Sequence, residues 1–243
     1  MRANPYETDR YLHEYLFFHY GRADELCPFS FVPREWLRFH ERLREEYLLP
    51  VAARSKSRGL DVGCAVGRFS FELGRVLDDV VGVDNSRCFI QSAQRMAKRH
   101  SLTARLQVSG ARFTRRKLML AKVLQRASVE FQLGDALDLN EFAPGSFQLV
   151  SAINLIDRLP RPRQFLEQLP RLVAQGGQLL LASPFTWLAD FTPPKQWLTS
   201  QQVESLLRPD FCLVRQGELP FLIREHRRKF QLVVSEVRTF VRR

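Results

Sequence analysis

The sequence predicts an α/β fold: a doubly wound, mostly parallel sheet with an N-terminal helical lid and a C-terminal antiparallel β-pair. Three observations carry this. Residues 59–84 read as strand, glycine-rich turn, helix and strand, and the second strand ends on a carboxylate. Apolar strand-like runs and helical patterns then alternate as far as Ala182, as strands joined by crossover helices do. Near the end, 211–214 and 229–237 alternate like two strands closing a sheet edge.

The elements follow in order. A helix starts at a Thr8 or Asp9 cap, stops at Gly21 and places Tyr11, Tyr15 and Phe18 on one face. It either packs on the core or serves as a lid whose tyrosines and His19 line a pocket. Pro33 opens a second helix with the stripe Trp36, His40, Leu43 and Tyr47, in which His40 reads as a packed residue. A polar linker over 50–58 leads into the strand 59–62, the turn at Gly63 and Gly67, a helix over 68–77 and the strand 80–84. Asn85 and Ser86 cap a helix running to about His100. The segment 103–127 reads as an inserted helix or irregular excursion, patterned around Phe113, Leu118, Leu120 and Val123. Strands at 129–133, 147–153 and 178–182 follow, with a helix over 161–174 and a Gly176-Gly177 turn before the last.

With 243 residues and 45% hydrophobic content, the chain suits one domain (1–243) with a full core. Within it, 1–50 form the helical lid and 103–127 a basic insert. No apolar run reaches the ~18 residues of a membrane span, so no membrane partner is expected. Residues 1–7 lack the apolar core of a signal peptide. Cys27, Cys64, Cys88 and Cys212 form no C-x-x-C pair, which fits a reducing, cytoplasmic location and gives no metal-site pattern. The net charge of +11 is local: 103–127 carry seven basic residues and no acid, 222–243 carry seven against two, and the remaining chain sums to −1. Such segments are commonly just solvated, so nucleic acid is not the expected partner. No feature specifies an oligomeric state.

In open α/β sheets ligands bind beyond the carboxyl ends of the strands. Asp61, Gly63, Gly67, Asp84, Asp135 and Asn154 fall at such ends. Glycine lets backbone approach a ligand closely, and a carboxylate at the tip of the second strand suits ribose hydroxyls. The run Asp61-Val62-Gly63-Cys64-Ala65-Val66-Gly67 resembles the first motif, D-x-G-x-G-x-G, of class I S-adenosylmethionine (SAM) dependent methyltransferases, with alanine for the middle glycine. It does not fit the G-x-G-x-x-G of nicotinamide enzymes. The resemblance implies a Rossmann-like sheet and SAM as methyl donor. It also implies a cofactor site of Asp61, Gly63, Cys64, Ala65, Gly67, Asp84, Asn85, Asp135, Ala136 and Asn154, with Asp84 on the ribose and Asp135 near the adenine. A sulfonium methyl is already activated, so alignment is the main task and no metal is required.

The flanks carry a narrower resemblance. Asn4-Pro5-Tyr6-Glu7-Thr8-Asp9 with Tyr15-Leu16-Phe17-Phe18-His19-Tyr20-Gly21, the run from Ser183 to Leu188 with Phe191-Thr192-Pro193, and the run from Leu219 to Phe230 resemble the 4-mercaptohistidine N-methyltransferases of ovothiol biosynthesis. That family occurs alone or fused to a sulfoxide synthase, and the resemblance implies a stand-alone version. The implied reaction is methyl transfer from SAM to an imidazole nitrogen of 5-thiohistidine, giving ovothiol A. A carboxylate accepting the other ring N–H would fix the tautomer. Asp157 is the first choice for that role, although a helix-start acid is an equally good reading of it, and Asn154 is the second catalytic candidate. Tyr15, His19, Arg158, Thr186, Trp187, Glu225, His226 and Arg227 are the substrate-binding candidates. Two alternatives stay open: a SAM enzyme acting on another small molecule or on RNA, and a non-catalytic SAM-binding partner.

Overall fold

The computed structural model describes residues 4–50 and 56–243. Nine strands form one sheet: β1 (Arg58–Val62), β2 (Asp79–Asp84), β3 (Ser101–Ser109), β4 (Arg112–Met119), β5 (Val129–Leu133), β6 (Phe147–Ile153), β7 (Val173–Ser183), β8 (Phe211–His226) and β9 (Lys229–Arg242). Their spatial order is β4-β3-β8-β9-β7-β6-β1-β2-β5. The block from β5 to β7 is parallel throughout. From β1 the chain steps outward to β2, leaves for the β3–β4 hairpin at the far edge, returns to β5 beside β2, and then crosses to β6 and β7 on the other side of β1. The reversal opens a crevice between the carboxyl ends of β1 and β6. The expected C-terminal antiparallel pair is β8–β9, which docks on β7 through β9.

The helices are α1 (Asp9–Tyr20), α2 (Ala23–Leu26), α3 (Phe39–Arg42), α4 (Arg68–Leu73), α5 (Arg87–Arg99), α6 (Pro162–Leu172) and α7 (Ser200–Leu207). Thr8 caps α1, accepting from the Tyr11 N–H at 3.5 Å, and the helix ends at Gly21. Ser86 caps α5, and His100 closes it in a left-handed conformation.

Several boundaries differ from expectation. The basic segment 103–127 is neither helical nor irregular: its larger part is the hairpin β3–β4, turning at Gly110 (φ +52°), with Arg105 directly opposite Arg115. Its true period is two. Ala104, Leu106, Leu118 and Leu120 face a core shared with Leu16 and Phe17 of α1, whereas Phe113 and Val123, part of the same apolar pattern, are 50% and 58% exposed. The helix after Gly67 ends at Leu73, short of Leu77, and is capped by Gly74, which packs so closely on Ala127 that a Cβ there would lie 2.4 Å from the Ala127 Cβ. The helix after Pro33 is three short pieces, a 3-10 turn Arg34–Leu37, α3 and a π-turn Leu43–Tyr47. α6 ends at Leu172, and β7 runs through Gly176 and Gly177 with a register jump opposite β6. β8 and β9 are much longer than the runs 211–214 and 229–237. The linker expected over 50–58 falls largely on 51–55, outside the described residues.

Candidate functional site

The turn after β1 is built by backbone conformations that most residues avoid. Gly63, Ala65 and Gly67 have φ of +72°, +49° and +90°. The turn is tied to the tip of β2: Gly63 N–H and Cys64 N–H donate to the Val83 carbonyl at 2.7 and 3.0 Å, and Ala65 N–H donates to Asp84 Oδ2 at 2.9 Å. Ser86 N–H donates to Asp84 Oδ1 at 2.8 Å, so Asp84 also anchors the start of α5. Burial pushes the Asp84 carboxyl up to about 6. Asp61 is buried beneath the turn, accepting from Ser70 Oγ at 2.6 Å and Ser151 Oγ at 2.7 Å, and burial pushes it to about 6 as well.

Ala65 occupies the position where the motif has its middle glycine, in a conformation that costs an L-residue about 1–2 kcal/mol. Ala65→Gly should relieve that cost while adding unfolded-state entropy, for a net gain of about 0.5–1 kcal/mol. A raised urea midpoint at unchanged slope would show it. A lowered midpoint would mean that the turn carries no strain at Ala65.

A cavity of about 660 Å³ opens over the β1–β6 crevice. Asp61, Gly63, Cys64, Ala65, Asp84, Asn85, Gly134 and Ala136 line it from the strand ends. Glu14, Tyr15, Phe18 and His19 of α1, Phe39 and His40 of α3, and Phe221, Ile223, Gln231 and Val233 of β8–β9 line the opposite side. Tyr6 and Tyr11 stand at 5.6 Å between ring centroids, and Tyr6 also packs on Tyr15, Phe89 and Phe191. Arg158 enters from the β6 exit. Its Nη1 donates to Asp157 Oδ2 and to the Thr186 carbonyl, both at 2.8 Å, and its guanidinium lies 5.6 Å from the Phe191 ring centre. Asn154 (φ +54°) accepts from Ser235 Oγ at 2.7 Å.

Of the sequence candidates, the cavity gathers Asp61, Gly63, Cys64, Ala65, Asp84, Asn85, Ala136, Asn154, Tyr15, His19, Arg158 and Thr186. Seven others do not line it. Gly67 sits behind the turn, packed on Phe131. Asp135 is exposed and turns its Oδ1 to the Leu137 N–H at 2.9 Å. Asp157 is 1% exposed and faces Arg158, with its Oδ1 lacking a hydrogen-bond partner among the described residues; burial pushes its carboxyl up. Trp187 donates its indole N–H to the Leu198 carbonyl at 3.1 Å. Glu225 pairs with Arg10 at 2.9 Å and Lys229 at 2.8 Å beside a separate cavity of about 270 Å³. His226 accepts the Arg228 N–H, and Arg227 is exposed at the hairpin tip. The reach of β8 explains the last three: the strand continues past the cavity at Ile223, carrying residues 225–227 to its outer end. Of the other wall residues, Tyr6 belongs to the block 4–9 that carries the narrower resemblance, His40 reads from the sequence as a packed residue, and Glu14 and Gln231 were missed, Glu14 offering only its i, i+4 spacing to Phe18.

These features fit SAM. A turn with left-handed positions leaves backbone open to a ligand, and a half-buried carboxylate at the β2 tip suits a ribose diol. Among the described residues, no group of three His, Cys, Asp or Glu is placed to hold a metal ion, and no helix is long and apolar enough to cross a membrane.

Comparison with known proteins agrees. The chain is 28% identical over 175 residues to the ubiquinone biosynthesis O-methyltransferase of Ralstonia nicotianae, covering 68% of this chain and 63% of that one. It is 27% identical over 150 residues to the ajmaline N-methyltransferase of Rauvolfia serpentina, covering 61% and 42%. The chain thus spans less than two thirds of the length of these relatives. In fold it is similar to the N-methyltransferase NodS of Bradyrhizobium japonicum in complex with S-adenosyl-l-homocysteine, with a TM-score of 0.56, 16% identity and coverage of 95% and 98%. Residues 60–181, half of the chain and the part that builds the turn, β2, β5, β6 and most of β7, match the family described as "Methyltransferase domain". The chain belongs to that family, the class I methyltransferases whose methyl donor is SAM.

Proposed function

We propose that the chain transfers the methyl group of SAM to an imidazole nitrogen of 5-thiohistidine, giving ovothiol A. One observation carries the reading: the three blocks behind the narrower resemblance, distant in sequence, all supply wall residues to one cavity. Block 4–21 brings Tyr6, Tyr15 and His19; block 183–193 brings Thr186 and Phe191; block 219–230 brings Phe221 and Ile223. The adenosine end would lie along Ala65, Asp84, Asn85 and Ala136, leaving the far wall for the acceptor.

When bound, SAM supplies a methyl group activated by its sulfonium. The chain's own residues orient and pair. Arg158 offers a cation to the thiolate or carboxylate of the acceptor. Asn154, its carbonyl oxygen engaged by Ser235, keeps its NH2 as a donor. Asp157, first read as the group fixing the imidazole tautomer, acts from this position through Arg158 as a positioning residue.

Incubation with SAM and 5-thiohistidine should add one methyl to the acceptor, read by mass. No product there, with methylation of bulk RNA instead, would sink the reading. Asp157→Asn should lower turnover on the order of tenfold or more and leave SAM affinity nearly intact. Unchanged turnover would remove Asp157 from the mechanism. The names of the relatives cover both oxygen and nitrogen acceptors, so another small molecule is the second reading.

A further inference from the structure

Two imidazoles stand together on the far wall. His19 of α1 and His40 of α3 are each 6% exposed and stand with ring centroids 4.4 Å apart. The backbone N–H of Arg68 donates to His19 Nδ1 at 3.2 Å. A nitrogen that accepts carries no proton, so the His19 proton sits on Nε2. Among the described residues His40 forms no hydrogen bond through either ring nitrogen, and the residue lines the cavity. Buried polar side chains almost always have partners, and one that lacks them while facing a cavity marks a place for a ligand group. The rings of Phe18 and Phe39, at 4.8 and 5.5 Å, hold the His40 ring in place.

We propose that His40 is the general base of the methyl transfer and that His19 Nε2–H is the donor that orients the acceptor through its thiolate sulfur. The proposal deepens the reading above and rests on its nitrogen acceptor. The lone pair of one ring nitrogen forms the N–CH3 bond as the S–CH3 bond breaks and its electron pair returns to sulfur. The proton on the other ring nitrogen passes to His40.

The surroundings suit that task. Burial, then the Arg68 cation, lower His19 to about 3. Burial, then His19 and Arg68, lower His40 well below its ordinary value. Both rings are therefore neutral at neutral pH. The charged groups nearby are Arg68 of α4, which donates to Glu72 and Glu41 at 2.8 Å, and Glu14 of α1, which accepts from Arg10 at 2.8 Å. A thiolate arriving beside His40 would add the missing negative charge and strengthen the base in the complex.

The test compares wild type with His40→Gln and His19→Gln on 5-thiohistidine, with SAM affinity measured by calorimetry. For His40→Gln, kcat should fall about 100-fold or more at nearly unchanged SAM affinity. In wild type held at saturating SAM, where the Asp84 and Asp61 carboxylates do not limit binding, kcat/KM for 5-thiohistidine should hold from neutral pH downward and fall only well below pH 6.5, as His40 protonates. That acid limb should be missing in His40→Gln. His19→Gln should raise KM more than it lowers kcat. A kcat for His40→Gln within about threefold of wild type, or a retained acid limb, overturns the proposal. Ring 15N shifts of wild type provide a readout independent of turnover and of the variant's folding. His19 should be the Nε2–H tautomer and His40 neutral at neutral pH, whereas an imidazolium at His40 overturns the proposal. If wild type leaves 5-thiohistidine unmethylated, the substrate reading fails by itself and the ring states alone decide the role of His40.

Discussion

Gly67→Ala is expected to destabilise the chain by about 2–5 kcal/mol, combining the left-handed penalty with overpacking. Gly67 starts α4 with φ +90°, a backbone conformation that alanine reaches only under strain. A Cβ there would lie 2.5 Å from Phe131 Cζ and 2.6 Å from its Cε1. The ring cannot back away easily, because its other edge fits against Gly82, where a Cβ would come within 2.7 Å of Phe131 Cδ1, and Phe71 packs edge-on at 5.5 Å. The two glycines form the slot that holds Phe131, and through it β5 packs onto the turn and α4. Chemical denaturation reads the loss directly. Adding Phe131→Leu should recover part of it if overlap is the cause, since residues in contact couple by about 0.5–3 kcal/mol. A loss below about 1 kcal/mol in the single variant would show that the slot is not tight.

Asp84→Asn is expected to weaken SAM binding by about 100-fold. Hydrogen bonds to a charged group contribute about 1.5–3 kcal/mol each, and asparagine replaces one acceptor oxygen by a donor NH2. In this protein the substitution acts twice: it removes a carboxylate suited to the ribose diol and loosens an anchor of the turn, since Ala65 N–H and Ser86 N–H each use one Asp84 oxygen. The sign of the pH dependence follows from the raised value of about 6. The carboxylate is the accepting form, so SAM affinity should be full above that pH and decline below it. The Asp84 share of the decline should vanish in Asp84→Asn, leaving only that of Asp61, which burial also holds at about 6. Calorimetric titration of SAM across this range checks both statements. Unchanged affinity in the variant would take Asp84 out of the cofactor site.

The cofactor half was legible because its determinants are nearly contiguous. The turn, α4 and β2 lie within 59–84, so strand alternation, two glycines and a terminal acid were enough to read it. Asp135, beyond that stretch, does not line the cavity, although its neighbours Gly134 and Ala136 do, because its own side chain is used locally in a turn. The hairpin β3–β4 was illegible for a related reason. The pattern around Phe113, Leu118, Leu120 and Val123 mixes exposed with buried residues, and only packing of Ala104, Leu106, Leu118 and Leu120 against α1 settles which residues face the core.

Taken alone, the sequence determined the class of sheet, the winding direction and the residues of the turn, since these follow from backbone conformation and short-range periodicity. The far wall of the cavity was decided by tertiary structure. His19 and His40 come from different helices, Asn154 meets Ser235 across 81 positions of chain, and Arg158 reaches the Thr186 carbonyl from the neighbouring strand exit. Asp157 and Glu225 were both credible site acids, yet one is buried against Arg158 and the other is carried past the cavity by β8. A side chain's role there depends on which elements pack together, and that is set by burial summed over the whole core rather than by any local pattern.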